Sequence, residues 1–234
     1  MERKPETIRE RLERLREEVA RLSQKAGSLS PPEIVGVVKG RSLEESRALF
    51  DAGVGALAEN RWEALGEKEE FFALLGQSPR FHFIGALQRR SLRQLFRPGI
   101  LLETVDRPSL LSVLSGKACA GGVFQEILIE LDLTGIPGRS GVSEKMLEAL
   151  LEEVGKWSNL KVSGFMVMGP PPDNRDASIR IFEKGKILFD RFFPGGTGIL
   201  SMGMTDDYPA AVECGSTELR IGRYFFEGPG KAAL

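Results

Sequence analysis

One lysine stands where a lysine is hard to place. Lys39 follows the apolar run Ile34-Val35-Gly36-Val37-Val38, and lysine is almost never buried without a partner or a task. Partial burial there would disfavour the ammonium and leave a nucleophilic amine suited to imine formation with an aldehyde. A stem lying on apolar surface with its head in water accounts for the same position without chemistry. Toward the C-terminus, Ser201 and Met202 close one apolar run and Arg220-Ile221-Gly222-Arg223 closes another, with Gly203 and Gly228 nearby. A hydroxyl and glycine-rich backbone of this kind can cradle phosphate.

Other constellations have simpler readings. His82, within Phe81-His82-Phe83-Ile84, reads as a buried histidine with satisfied ring nitrogens. Asp206-Asp207 immediately precedes a helical stretch, where N-capping and first-turn charge account for it. Gly53-Val54-Gly55-Ala56-Leu57-Ala58 has the spacing of a dinucleotide fingerprint, but a helix precedes it and a strand follows, the reverse of what pyrophosphate binding needs. Arg89, Arg90, Arg93 and Arg97 read as a solvated helix face. Cys119 and Cys214 lack zinc-ligand spacing, and with a single histidine no metal site is expected.

The elements that must position these residues come from hydropathy. Short apolar runs fall at 34–38, 56–59, 81–85, 101–105, 126–131, 161–168, 199–202 and 218–221, with helical patterns at 43–52, 61–75, 143–156 and 177–192 between them. Strands alternating with helices imply βαβ units and a parallel sheet. Eight units in 234 residues fit one closed (β/α)₈ barrel of the TIM type, with a doubly wound sheet of five or six strands as the alternative. Residues 6–26 add an amphipathic helix through Ile8, Leu12, Leu15, Val19 and Leu22, ended by Gly27 and Pro31-Pro32 and expected to pack on the barrel. No Pro/Gly/Ser-rich linker divides the chain, so 1–234 is read as a single domain, with 1–30 its N-terminal helix. Lys+Arg 32 against Asp+Glu 33 carries no signature of nucleic-acid or membrane-surface binding. The N-terminus has no apolar signal region and no run approaches the ~20 residues of a membrane span. A cytoplasmic monomer is the default expectation.

In such a barrel, function sits at the C-terminal ends of the strands, and phosphate is commonly held after strands seven and eight. An amine after strand one that faces a phosphate cradle implies a phosphorylated aldehyde, with pyridoxal 5′-phosphate (PLP) the obvious candidate. Here the sequence resembles the YggS/PROSC family of PLP homeostasis proteins, whose fold is similar to the N-terminal barrel of alanine racemase. Val35-Gly36-Val37-Val38-Lys39 looks like the family's VAVSK and Ala58-Glu59-Asn60 like its GEN. Phe81-His82-Phe83-Ile84-Gly85 with Leu87-Gln88 is similar to HFIG-x-LQ. The strongest match is Leu200-Ser201-Met202-Gly203-Met204-Thr205-Asp206-Asp207, followed by Gly215-Ser216-Thr217 and Arg220-Ile221-Gly222.

The resemblance implies Lys39 as the imine-forming residue, Ser201, Gly222 and Arg223 on the phosphate, and Arg220 near the pyridine nitrogen. Guanidinium can only donate, so a ring nitrogen facing it stays an unprotonated acceptor and a poor electron sink. The full cofactor-binding set is Lys39, Asn60, His82, Ser201, Met202, Arg220, Gly222 and Arg223, with no residue assigned to catalysis or to a metal. Three positions depart from the family pattern: Val38-Lys39-Gly40-Arg41 replaces Ser-Lys-Thr-Lys, Arg90-Ser91 replaces Asn-Lys, and Arg223 stands where a threonine is usual. The implied function is PLP homeostasis and carriage without turnover, with apo PLP-dependent enzymes as possible recipients. The alternative is a racemase-like fold-type III enzyme, which needs a base on each face of the cofactor. The only tyrosines are Tyr208 and Tyr224, and no C-terminal β domain follows within this sequence.

Overall fold

Apolar runs this short cannot bury both faces alone, and they do so here by closing on one another. The computed structural model describes residues 6–28, 30–97, 99–171 and 174–228. The strands are β1 (Glu33–Val37), β2 (Ala56–Glu59), β3 (Arg80–Phe83), β4 (Leu101–Val105), β5 (Gln125–Leu131), β6 (Leu160–Val167), β7 (Ile199–Met202) and β8 (Glu218–Ile221). All neighbours pair parallel, and β8 returns to β1 to complete a closed barrel. Between the strands run α2 (Leu43–Asp51), α3 (Trp62–Leu74), α4 (Arg89–Leu95), α5 (Leu111–Ala120), α6 (Glu144–Gly155), α7 (Arg175–Phe192) and α8 (Tyr208–Glu213). α1 (Ile8–Lys25) precedes the barrel and α9 (Arg223–Glu227) follows β8. No helix among the described residues is long and apolar enough to cross a membrane.

Strand alternation sorts the side chains into two layers. The outward set, including Leu57, Phe83, Leu102, Ile129, Phe165, Leu200 and Leu219, forms one continuous core against the helices. The inward set is small and mixed: Val35, Val37, Ala56 and Ala58 on one side, and Leu101, Leu128 and Met166 on the other. Charged residues fill the rest of the lumen. Register follows from closure, with Val35 opposite Ala56 on one flank and Arg220 on the other.

α1 starts at a capping box, where Thr7 accepts from the Glu10 N–H and Glu10 accepts from the Thr7 N–H. It ends at Gly27, whose φ of +75° suits glycine. Its stripe of Leu12, Leu15, Val19 and Leu22 is buried. Arg14 Nε donates to the Tyr224 hydroxyl at 3.1 Å and Arg11 Nη1 to the Phe225 carbonyl at 2.8 Å, so this helix is tied to α9. The helices absent from the sequence reading are α5 and α9. In α5, Ser112, Ser115, Gly116 and Lys117 dilute the apolar stripe, and α9 has only five residues, too few for a period to show.

Gly164 is the tightest point of the sheet. Its φ is +156°, and a Cβ there would lie 1.8 Å from the Ile199 carbonyl oxygen, beside a register shift between β5 and β6. Gly164→Ala is therefore expected to lower the unfolding free energy by about 2 kcal/mol or more, read from the denaturant midpoint at unchanged slope. A midpoint within error of the parent would show that the β6–β7 contact relaxes freely.

Candidate functional site

At the carboxyl mouth of the barrel lies a cavity of about 370 Å³. β1 and its exit contribute Val37 and Lys39, the β3 exit Ile84, and the β6 end Met166, Met168 and Pro170. The β7 loop contributes Met204 to Asp207, and β8 with its exit contributes Arg220, Gly222 and Arg223. Lys39 is held at the mouth by a turn in which the Arg41 N–H donates to the Val38 carbonyl at 3.1 Å and Gly40 takes a φ of +70°. That φ explains why glycine stands at 40. Arg41 then ties the turn to α9 by pairing with Glu227 at 2.7 Å and lying 4.4 Å above the Phe226 ring. Lys39 itself is exposed, not half-buried as expected, because the chain turns outward after Val38. Burial therefore does not desolvate its amine.

The floor of the cavity is Arg220, which is 3% exposed. Its Nη1 donates to Ser201 Oγ at 2.6 Å and lies 3.8 Å from Glu103 Oε2, while Nη2 donates to the Val167 carbonyl at 3.2 Å. Ser201 Oγ in turn donates to Glu103 Oε2 at 2.7 Å. Glu103 Oε1 lies 2.8 Å from His82 Nδ1, and Glu218 Oε2 lies 3.8 Å from the same nitrogen. Burial alone would lower the His82 pKa, but the bond to Glu103 and the charges of Glu218 and Glu103 outweigh it, so the imidazolium is favoured. Burial raises Glu103 as well, yet His82, Arg220 and Ser201 together hold it below the usual carboxylate range. Glu218 has the opposite outcome: burial and the Glu103 charge push it up to about 7.

Sequence-predicted residues thus divide. Lys39, Arg220, Gly222 and Arg223 line one cavity. The Ser201 hydroxyl, expected on phosphate, is spent on Glu103 and Arg220 and is fully buried. Met202 faces outward into the helix-side core, since alternation puts it opposite in sense to Ser201. Gly203 is needed for packing, because at φ +99° a Cβ would lie 2.6 Å from Ala211 Cβ. His82 is buried in the lumen beneath the cavity, satisfied as its apolar context suggested, and does not line it. Asn60 is exposed after β2 and is also absent from the lining. Its carbonyl oxygen crowds Gly85, where a Cβ would lie 2.1 Å away.

Sequence reasoning missed Thr205, Asp207, Glu103 and Glu218. Thr205 and Asp207 lay in a quoted motif, but Asp207 was assigned to capping. In the fold, Asp207 precedes α8 without a side-chain cap and instead accepts the Met204 N–H at 2.6 Å, folding the loop back on itself. Asp206 pairs with Arg223 across the rim. Glu103 and Glu218 had no local signal, since single acidic residues inside apolar runs acquire meaning only when β3, β4 and β8 are brought together. The lining offers apolar walls for a flat ring, with cations at floor and rim.

A closed parallel barrel of eight strands with alternating helices has the fold of the alanine racemase barrel. Alanine racemase from Clostridium difficile superimposes with a TM-score of 0.69 at 15% identity, covering 94% of this chain and 59% of that one. PipY from Synechococcus elongatus, solved with PLP bound, gives 0.80 at 24% identity, covering 94% and 100%. Both likenesses concern the fold. No family model matches. The pyridoxal phosphate homeostasis protein of Deinococcus radiodurans is 34% identical over 213 residues, 91% of this chain and 95% of its own length. That of Aquifex aeolicus is 30% identical over 221 residues, 93% and 96%. The chain belongs to the pyridoxal phosphate homeostasis protein family.

Glu130, inward on β5, offers a check on the lumen electrostatics. Burial first, then the nearby Asp106 charge, push it up to about 7. A carboxyl whose folded pKa lies above its unfolded value of about 4.3 adds stability at low pH and loses it as pH rises through the folded value. Glu130→Gln should therefore be more stable than the parent above pH ~7 by about 1–2 kcal/mol, the gain vanishing toward pH ~4. A gain independent of pH in urea titrations would show that Glu130 is not held protonated.

Proposed function

We propose that this protein binds PLP at the barrel mouth, holds it through a reversible covalent link to Lys39, and serves intracellular PLP homeostasis without turnover. The observation that carries this reading is that Lys39, Arg220, Gly222 and Arg223, drawn from opposite ends of the chain, line one cavity. The lining fits the group. Val37, Ile84, Met166 and Met168 offer apolar contact to a pyridine ring, Arg220 offers donors to its nitrogen, and Arg223 offers a cation to its phosphate. Gly222 packs under the ligand space, where a Cβ would already stand 3.1 Å from the Val37 carbonyl oxygen. PLP supplies an aldehyde when bound. Lys39 Nζ, as the free amine, would be the nucleophile that holds this aldehyde reversibly, so the cofactor could be kept and given back intact.

Absence of turnover is supported by where the tyrosines lie. Tyr208 and Tyr224 are each no more than 1% exposed and stack edge to face at 6.3 Å behind the β7–β8 loops, with Tyr224 tied to α1 through Arg14. Neither lines the cavity, so neither can serve as a second-face base from this geometry. Arg220 adds to this, because a donor-only partner leaves the ring nitrogen unprotonated. The whole chain acts in this reading as one barrel unit, monomeric and cytoplasmic, with apo PLP-dependent enzymes as recipients. Lys39→Ala is expected to lose the visible absorbance of the link and the borohydride-stable adduct that mass spectrometry finds on the parent. Retention of the same chromophore and affinity in Lys39→Ala would sink the assignment. In deuterated water, the parent is expected to exchange the α-protons of alanine and serine no faster than free PLP, and sustained faster exchange would establish an enzyme.

A further inference from the structure

Glu103 and His82 do not line the cavity, yet both are joined to Arg220, which does. Glu103 is wholly buried on β4 and uses both oxygens: Oε1 on His82 at 2.8 Å, and Oε2 on the Ser201 hydroxyl at 2.7 Å. That hydroxyl receives Arg220 Nη1 at 2.6 Å, and Met168 Sδ with the Val167 carbonyl receives Nη2. A guanidinium on a four-bond stem facing an open cavity would otherwise sample several rotamers. Here both terminal nitrogens are fixed by protein acceptors while the residue lines the cavity. Glu218 adds a second carboxyl. One polar atom each of His82, Glu103 and Glu218 lies within 4.8 Å of the others, and Glu218 Oε1 is buried with no hydrogen-bond partner.

We propose that Glu103 is the positioning residue of this site, holding Arg220 through Ser201 in the orientation that grips the ligand ring, and that Glu218 makes this grip respond to pH. The inference rests on the PLP reading above. The surroundings of Glu218 define its response. β1 pairs Glu33 with Glu218 in register and, with β2, presents Val35, Val37, Ala56 and Ala58 to the lumen; β6 presents Met166 there, and β7 pairs Ser201 with Glu218. Charge arrives from His82 on β3, Glu103 on β4 and Arg220 on β8, with Glu130 on β5 and Asp207 near Arg220, and Arg80 acting on His82 from the amino end. With a proton on Glu218, a single carboxylate, Glu103, answers His82 and Arg220, and the free N–H groups of Arg220 serve the ligand. When that proton leaves, a second carboxylate competes for the same guanidinium and draws it into the lumen. Burial and the Glu103 charge put this change near neutrality.

The experiment uses the full chain loaded with PLP, reading the absorbance of the link, PLP affinity and the release rate to a hydrazine scavenger from pH ~5.5 to ~8.5. Glu103→Gln, nearly isosteric, should shift the absorbance band and weaken PLP about tenfold while Lys39 remains trappable by borohydride. Glu103→Asp, which keeps the charge, should recover part of both, and Ser201→Ala should reproduce the shift if Glu103→Gln does not fold. Release from the parent should accelerate above neutrality, and Glu218→Gln should flatten that rise. A folded Glu103→Gln with parental band and affinity, or a Glu218→Gln with the parental pH profile, would overturn the inference and leave the PLP reading intact. A parent with no trappable adduct on Lys39 would instead remove the reading, and the inference with it.

Discussion

The constraint on which the rest depends is the burial of one guanidinium. Arg220 cannot shed its proton, and an unpaired cation in a barrel lumen would cost several kcal/mol. The fold meets that cost by converging a hydroxyl from β7, a carboxylate from β4 and a backbone carbonyl from β6 on it. Glu103 in turn needs a second cation, which His82 provides. None of these groups could be removed singly without exposing the charge of another; breaking such a pair typically costs about 3–5 kcal/mol. The lumen is therefore polar around Arg220, and most of the apolar work of folding is done outside it, between the sheet and the helices.

That division explains the character of the cavity. Its floor is a fixed donor and its walls are methionine, valine and isoleucine, while flexible charge is confined to the rim, where Lys39, Asp206 and Arg223 sit. A small anionic ligand with a flat apolar body meets each of these in turn. Near-zero net charge means that nothing outside the mouth attracts it generally. The family relation is to pyridoxal phosphate homeostasis proteins, and the rim lysine stands at the mouth of this cavity.

Two of the three departures from the family pattern, those at 38–41 and at 223, lie on one side of the site. Gly40 supplies a left-handed turn after Lys39, Arg41 reaches Glu227 and Phe226, and Arg223 reaches Asp206. All lie between the β1 exit and the segment from the β7 loop to α9. They lock together the first and last strand exits, the two sides of the site furthest apart in sequence.

Much of this was readable in the chain before folding. Four strands, at 56–59, 101–105, 199–202 and 218–221, fall where hydropathy put them, and the others lie within one or two residues. Local burial patterns and caps are properties of short segments, so a linear reading reaches them. The same holds for the candidate status of Lys39, Arg220, Gly222 and Arg223, since the end of a parallel strand is a position that can be counted. What the linear reading could not supply is the direction of each side chain once the barrel closed. Ser201 and Met202 are adjacent in sequence and point to opposite layers, one to Arg220 and the other to the outer core. Glu103 and Glu218 lie on strands far apart in the chain, and only the pairing of β8 with β1 and β7 brings them to one guanidinium. Sequence sets which residues can carry charge or form a bond; closure of the sheet decides which of them meet, because contact across a barrel depends on register and not on order.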